Sequence, residues 1–268
     1  MKIELMRGGE RWLVQQVGAQ LFEEVDGSTR MRTLFDADAA RAEAEALIAA
    51  RRAEGWVDSD ATRAATAAEE AERARYAALR ERYQGLAAVR PVAEALIEHF
   101  AFLAQDRGAA TLLRALFGAA ISVEVDGGPG LIVRWGNGCR LECGPPAASV
   151  SPSLPPSVRA IFEQHERIYF YDDATSDHRV FVGHGAEPPE GDSELDGTSL
   201  AGHRGVWLMQ EDPWDRYWLL HPTAKHASGE PALVCYELDG GLRGPVEERL
   251  GTVLLRIVTR VHAEVRER

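Results

Sequence analysis

The stretch from Ser59 to about Gln84 sets the strongest limit on how this chain can fold. It is built of Ala, Glu and Arg, and Tyr76, Leu79 and Tyr83 are almost its only large apolar side chains. Such residues lose little rotamer freedom in a helix, so the composition favours one. A helix with so little to bury has no place in a core, and it reads as a solvated connector. The 268 residues are enough for modest domains on either side of it. The organisation expected is a domain over 1–58, a helical connector over 59–88, a helical hairpin with a three-stranded extension over 89–150, and a last domain over 151–268.

Ahead of the connector, residues 2–5 and 11–17 read as short strands, with turn signals at Gly8-Gly9 and Asp26-Gly27. A strand from Thr29 to Phe35 leads to Asp36, a good N-cap, with Asp38 in the first turn of an alanine-rich helix that stops at Gly55. Leu47 and Ile48 form the larger part of its buried stripe. After Pro91, apolar residues at helical spacing, among them Val92, Leu96, Phe100, Leu113 and Phe117, predict a helical hairpin broken at Asp106-Arg107-Gly108. Strands follow at Ile121–Val125, Leu131–Trp135 and Cys139–Cys143, the last two joined by a "GNG" turn. A short helix over Ser157–His165 precedes strands in "RIYFYDD" and "HRVFVGH". Strands resume at Val206–Gln210, Tyr217–Leu220 and Ala232–Leu238, and Val246–Val265 reads as a closing amphipathic helix. The fold class expected is α+β: a small N-terminal sheet-plus-helix domain, the helical connector, and a C-terminal mixed sheet packed by helices.

Charge narrows the function. The net charge is −12, and residues 145–268 carry 12 basic against 20 acidic groups. No cluster of Lys and Arg offers a phosphate-binding surface, so nucleic acid is not an expected partner. An acidic surface keeps a protein soluble, and it also steers a basic partner into contact. No run approaches the roughly 20 apolar residues that cross a bilayer. The N-terminus, with an acid inside its apolar start, is no secretory signal, so a cytoplasmic location without membrane contact is expected.

Chemistry-bearing motifs are sparse. Cys139 and Cys143 sit four apart on a strand, roughly 13 Å from each other at about 3.3 Å per residue. That is too far for a disulfide or a shared zinc, so the thiols read as reduced and structural. "YDDATSDHRVFVGH" gathers Asp172, Asp173, Asp177, His178 and His184, the residue types of a metal or acid–base site. Asp177 and His178 are adjacent, however, and face opposite ways on a strand. Asp and Ser in a turn account for the rest. His203, His221 and His226 are scattered among loops. There is no GxSxG elbow and no phosphate-cradling loop. No catalytic residue, metal or cofactor is therefore expected.

The stretch "GVWLMQEDPWDRYWLLHP" from Gly205 to Pro222 is the most unusual in the chain. Alternation puts Trp207 and Met209 on one strand face, and Trp218 and Leu220 on one face of the next, as core. Trp214 lies in the turn between Asp212 and Asp215. It is either tucked onto its sheet or exposed as a binding anchor, a role tryptophan suits because it buries large area at low entropy cost. The loop "EPPEGDSELD" carries Glu187, Glu190, Asp192, Glu194 and Asp196 without a basic residue. It is either solvated or a negative surface aimed at a basic partner.

Two stretches resemble known families. "SLPPSVRAIFEQH", the strand–acidic turn–aromatic strand of residues 205–222, "GEPALVCYELDGG" and the helix at Val246–Ile257 together resemble the SMI1/KNR4 (SUKH) superfamily over 151–268. "GPVEERLGTVLL" replaces the usual start of its last helix. "RWLVQQV" and "MRTLFDADAARAEAEALIAARRAEGW" resemble a degenerate WGR domain, with the acidic "QLFEEVDG" in place of its Trp-Gly-Arg signature. The first resemblance implies an immunity protein that binds and neutralises a toxin, or an adaptor, and not an enzyme. Trp214, Asp212, Asp215 and the five acids of the 187–196 loop are then the expected contacts with a protein toxin or other basic protein. An intracellular adaptor or regulatory scaffold is the alternative. A metal-dependent hydrolase built on Asp172, Asp177, His178 and His184 is a third.

Overall fold

The computed structural model describes residues 1–25, 27–125, 130–172, 177–183, 200, 206–212, 216–237 and 241–266, with the side chains of 177–179 left aside. The chain forms two compact units, Met1–Arg75 and Tyr76–Arg268.

In the first unit, strands β1 (Lys2–Arg7), β2 (Glu10–Val17), β3 (Gln20–Val25), β4 (Ser28–Thr33) and the two-residue β5 (Val57–Asp58) make an antiparallel sheet in the order β4-β3-β2-β1-β5. The β1–β2 turn is Gly8-Gly9, with φ of 58° and 94°. Two successive positive φ values match the right-handed twist of a hairpin, and only glycine adopts them at no cost. Helix α1 (Ala37–Ala53) begins where expected: the Ala39 amide donates to Asp36 Oδ1 at 2.7 Å. Its buried stripe is Ala40, Ala44 and Ile48, with Leu47 only partly covered. The core of the unit joins Leu5, Trp12, Val14, Leu21 and Trp56 to that stripe. The Trp12 indole donates to Glu23 Oε1 at 2.8 Å, and the Arg51 guanidinium lies over both Trp12 and Trp56. Each such cation–π contact is worth about 0.5–1 kcal/mol. Strand β3 is one that the sequence pattern does not predict. Its alternation is weak because Glu23 and Val25 share the core face with Leu21.

Helix α2 (Asp60–Ala88) is continuous. Thr62 in its first turn is buried: its Oγ1 accepts from the Glu4 amide at 2.9 Å and donates to the Glu4 carbonyl. Residues 63–74 are exposed throughout, and burial returns at Tyr83.

The second unit is α+β on a larger scale. Nine strands run in chain order across one sheet: β6 (Ala120–Val125), β7 (Leu131–Trp135), β8 (Cys139–Cys143), β9 (Arg167–Asp172), β10 (Asp177–Gly183), β11 (Val206–Glu211), β12 (Arg216–Lys225), β13 (Pro231–Glu237) and β14 (Gly241–Val246). Every pairing is antiparallel, so the sheet expected as mixed is not mixed. It runs without a break through both the 89–150 and the 151–268 segments. Helices α3 (Val92–His99), α4 (Ala109–Phe117), α5 (Pro156–Phe162) and α6 (Leu250–Arg266) contribute to its main core, with a short 3-10 turn at Ala101–Leu103.

Strict alternation in β7 and β8 sends Leu131, Val133, Trp135, Cys139, Leu141 and Cys143 inward. The Trp135 indole donates to the Leu116 carbonyl at 2.8 Å, which ties the sheet to α4. In β11 the alternation fails. A register shift against β12 lies between Trp207 and Met209, so Leu208 and Met209 both enter the main core. Trp207 instead joins Leu219, Val234 and Tyr236 in a second cluster. Trp207 and Met209 therefore do not share a cluster as expected; a bulge spends one residue to reverse the facing of all that follow. Strand β14 was not anticipated either, and α6 begins at Leu250 rather than Val246. Strand β12 extends to Lys225, which places His221 in a strand. Among the described residues no helix is long and apolar enough to cross a membrane.

Candidate functional site

Of the expected contact residues, Asp212 alone is described. Trp214 and Asp215, and Glu187, Glu190, Asp192, Glu194 and Asp196, lie outside the described residues. Asp212 is half-buried where β11 ends. Glu211 is 1% exposed, and its carboxylate receives the guanidinium of Arg260 from α6 in a close ion pair. Arg216, its cross-strand neighbour, approaches within 3.7 Å. Arg216 also donates through Nε to Glu237 Oε1 at 2.6 Å, and Arg243 reaches Glu237 Oε2 at 2.6 Å. Alternating charges thus cross β11, β12, β13 and β14 at this end of the sheet. A carboxylate this buried is tolerable only because it is paired on more than one side. Beside it, Trp207 meets Tyr217 and Tyr236 edge to face, at 5.7 and 6.2 Å. The described parts of β11 and β12 thus carry both a chain of ion pairs and an aromatic cluster.

Among the described residues, the other polar residues singled out do not converge. Asp172 is buried, while His184 and His203 and the side chains of Asp177 and His178 lie outside the described set. His221 Nδ1 accepts from the Ala224 amide at 2.8 Å, and His226 Nδ1 from the Ser228 amide at 3.0 Å, so both serve their own turns. Among the described residues no three His, Cys, Asp or Glu side chains gather as a metal would need. All three cysteines are free and buried. Burial raises the Cys143 thiol well above its ordinary value and pushes Cys235 up to about 12. Neither supplies the thiolate that reactivity requires.

A second arrangement was not anticipated. His99 on α3 and His165 after α5 meet with their Nε2 atoms 3.2 Å apart, and His165 Nδ1 is 2.8 Å from the Gly144 carbonyl. Tyr83 from α2 stacks on the His165 ring and meets His99 edge on. Burial is the main cause that lowers both imidazoles, His99 to about 3 and His165 to about 4, so both are neutral at ordinary pH. The carbonyl can only accept, so His165 carries its proton on Nδ1 and presents a bare Nε2. His99 must then donate from Nε2, which leaves its Nδ1 as an acceptor with no partner among the described residues. His99 lines a groove of about 700 Å³ between the end of α2 and α3. The available signal was a histidine at a stripe position: His99 sits between Leu96 and Leu103 in the apolar pattern that marked the helix.

Compared with known protein families, with curated proteins and with solved structures, the chain matches none.

Proposed function

We propose that this chain is a non-enzymatic binding protein of the SMI1/KNR4 kind, acting in the cytoplasm as an immunity protein. It occludes a toxin's active site with an acidic, aromatic surface. The observation that carries the reading is the buried Glu211–Arg260 pair, next in sequence to the Asp212–Asp215 stretch. That stretch reads acid, proline, tryptophan, acid. Firmly held flanking strands would spare binding part of the entropy of ordering it. The charge excess of residues 145–268 supports a basic partner, which would be steered to this end of the sheet. Trp214 is the proposed anchor, Asp212 and Asp215 flank it, and Glu187, Glu190, Asp192, Glu194 and Asp196 extend the negative surface.

The test compares two tagged baits, the wild-type chain and Trp214→Ala combined with Asp212→Asn and Asp215→Asn. The variant is expected to melt as the wild type does and to lose the proteins the wild type retains. A sharp drop in melting temperature would assign these residues to the core instead.

One observation favours an adaptor role for the first unit. Its edge strand β4 pairs only with β3 among the described residues, and Met31 and Phe35 beside it are 58% and 96% exposed. An open strand edge flanked by apolar side chains suits addition of a partner's strand. Deleting residues 1–58 would leave toxin binding intact under the immunity reading and abolish partner binding under the adaptor one.

A further inference from the structure

The groove between α2 and α3 combines features that no protein–protein surface is needed to explain. Its α3 wall follows one helical stripe: Glu94, Ala95, Glu98, His99, and then Phe102 beyond the helix. The other wall carries Arg82 and Leu86 of α2 and Val89 just beyond it. Arg82 makes one long hydrogen bond, to Gln164 Oε1 at 3.4 Å, and forms no ion pair among the described residues. Glu94 and Glu98 form none either. Arg90 also lines the groove, with its Nη1 engaged in donating to the carbonyls of Ala87 and Val89. The groove thus carries two carboxylates, Glu94 and Glu98, and the His99 imidazole along α3, and the Arg82 guanidinium on α2. No ion pair joins Arg82 to either carboxylate among the described residues. Leu86, Ala95 and Phe102 add apolar surface to the same lining. A volume of about 700 Å³ lies within the roughly 300–1,000 Å³ of small-molecule sites.

We propose that this groove binds a small zwitterion with an apolar body, an α-amino acid with a large apolar or aromatic side chain. Its carboxylate lies on Arg82, its ammonium on Glu98 beside the neutral His99 imidazole, and its side chain against Leu86 and Phe102. The neutrality of His99 is what makes the ammonium welcome: a histidine with an ordinary basicity would compete for the same charge at mildly acid pH. The site is independent of the partner surface proposed above, since none of its residues lies in the β11–β12 turn or the acidic loop.

The test is calorimetric titration of the full chain with three probes: L-phenylalanine, phenethylamine, which lacks the carboxylate, and 3-phenylpropanoate, which lacks the ammonium. L-phenylalanine is expected to bind saturably in the millimolar range or tighter, and each single-charge probe at least about tenfold more weakly. Arg82→Gln should bring L-phenylalanine down to the level of phenethylamine and leave phenethylamine unchanged. Glu98→Gln should weaken phenethylamine and leave 3-phenylpropanoate unchanged. Both substitutions are on the surface of their helices, and unaltered melting curves would show that folding is intact. Absence of saturable L-phenylalanine binding through the millimolar range would overturn the proposal. Equal binding of all three probes, or binding that survives both substitutions, would overturn it as well.

Discussion

Glu211 and its partners show how burial decides what an ion pair is worth. Arg260→Met leaves a carboxylate that is 1% exposed with only the more distant Arg216. Breaking a fully buried pair costs roughly 3–5 kcal/mol. Arg260 is itself partly solvated, so about 1–3 kcal/mol is expected here. Arg243→Met removes an exposed partner of Glu237 and should cost no more than about 1 kcal/mol. Urea unfolding of the two variants would resolve that ordering, and equal losses would contradict it. The histidine pair gives a pH signature. Unfolded, both imidazoles titrate near 6.5; folded, they titrate near 3 and 4. Between those values the unfolded chain binds more protons, so stability falls as pH drops below about 6.5 and continues to fall until the folded values are passed. His99→Gln keeps a donor for His165 but removes one titrating group. Its melting temperature should fall less steeply than the wild type's between pH 6.5 and 4.5. A parallel slope would show that His99 is not held neutral. At this scale the sequence was readable wherever local pattern decides the outcome. Leu131, Val133 and Trp135 declared their facing by alternation. The bulge at Trp207–Met209 did not, because it is set by pairing with β12 and leaves no local mark in "VWLM". Nor did His99 announce its partner, sixty-six residues away in sequence.

Helices carry the clearest contrast at the next scale. Gly85 in α2 has no atom within 4 Å of where a Cβ would stand. Gly251 in α6 would place a Cβ 2.7 Å from the Leu103 carbonyl oxygen. The same change to alanine therefore has opposite signs. Gly85→Ala should stabilise by about 0.5–1 kcal/mol, through helix propensity alone. Gly251→Ala should destabilise by about 1–3 kcal/mol, because a backbone atom must yield. Thermal unfolding measures both, and two shifts of one sign would contradict the packing described. The elements themselves were largely legible: Asp36 caps α1, and Leu131–Trp135 and Cys139–Cys143 are strands as read. The start of α6 was misplaced for a physical reason. Its first turn is supplied from outside, by Asp106 accepting from the Arg249 amide at 2.7 Å and Gln105 accepting from the Gly251 amide at 3.0 Å. "GPVEER" contains no cap of its own at that point, so nothing local separated β14 from the helix.

Taken whole, the molecule joins a small sheet-and-helix unit to a nine-stranded antiparallel sheet with helices in its core. The α+β class followed from strand and helix periodicities, but the continuity of the larger sheet did not. Whether β8 pairs with β9 across an intervening helix is a long-range matter that neither segment records. Function is less legible still, since the sequence carries no compact catalytic motif and the expected contacts, Trp214 apart, are acids, which solvent tolerates anywhere. The proposal rests on charge, on the buried Glu211–Arg260 pair beside the Asp212–Asp215 stretch and on the family resemblance. Capture from the native host on the tagged full-length chain, read by mass spectrometry across a salt series, tests it most directly. A basic toxin, retained at low salt and released as salt rises, is the result predicted, since electrostatic steering weakens with screening. Recovery of intracellular regulatory proteins in its place, or of a partner indifferent to salt, would contradict the immunity reading.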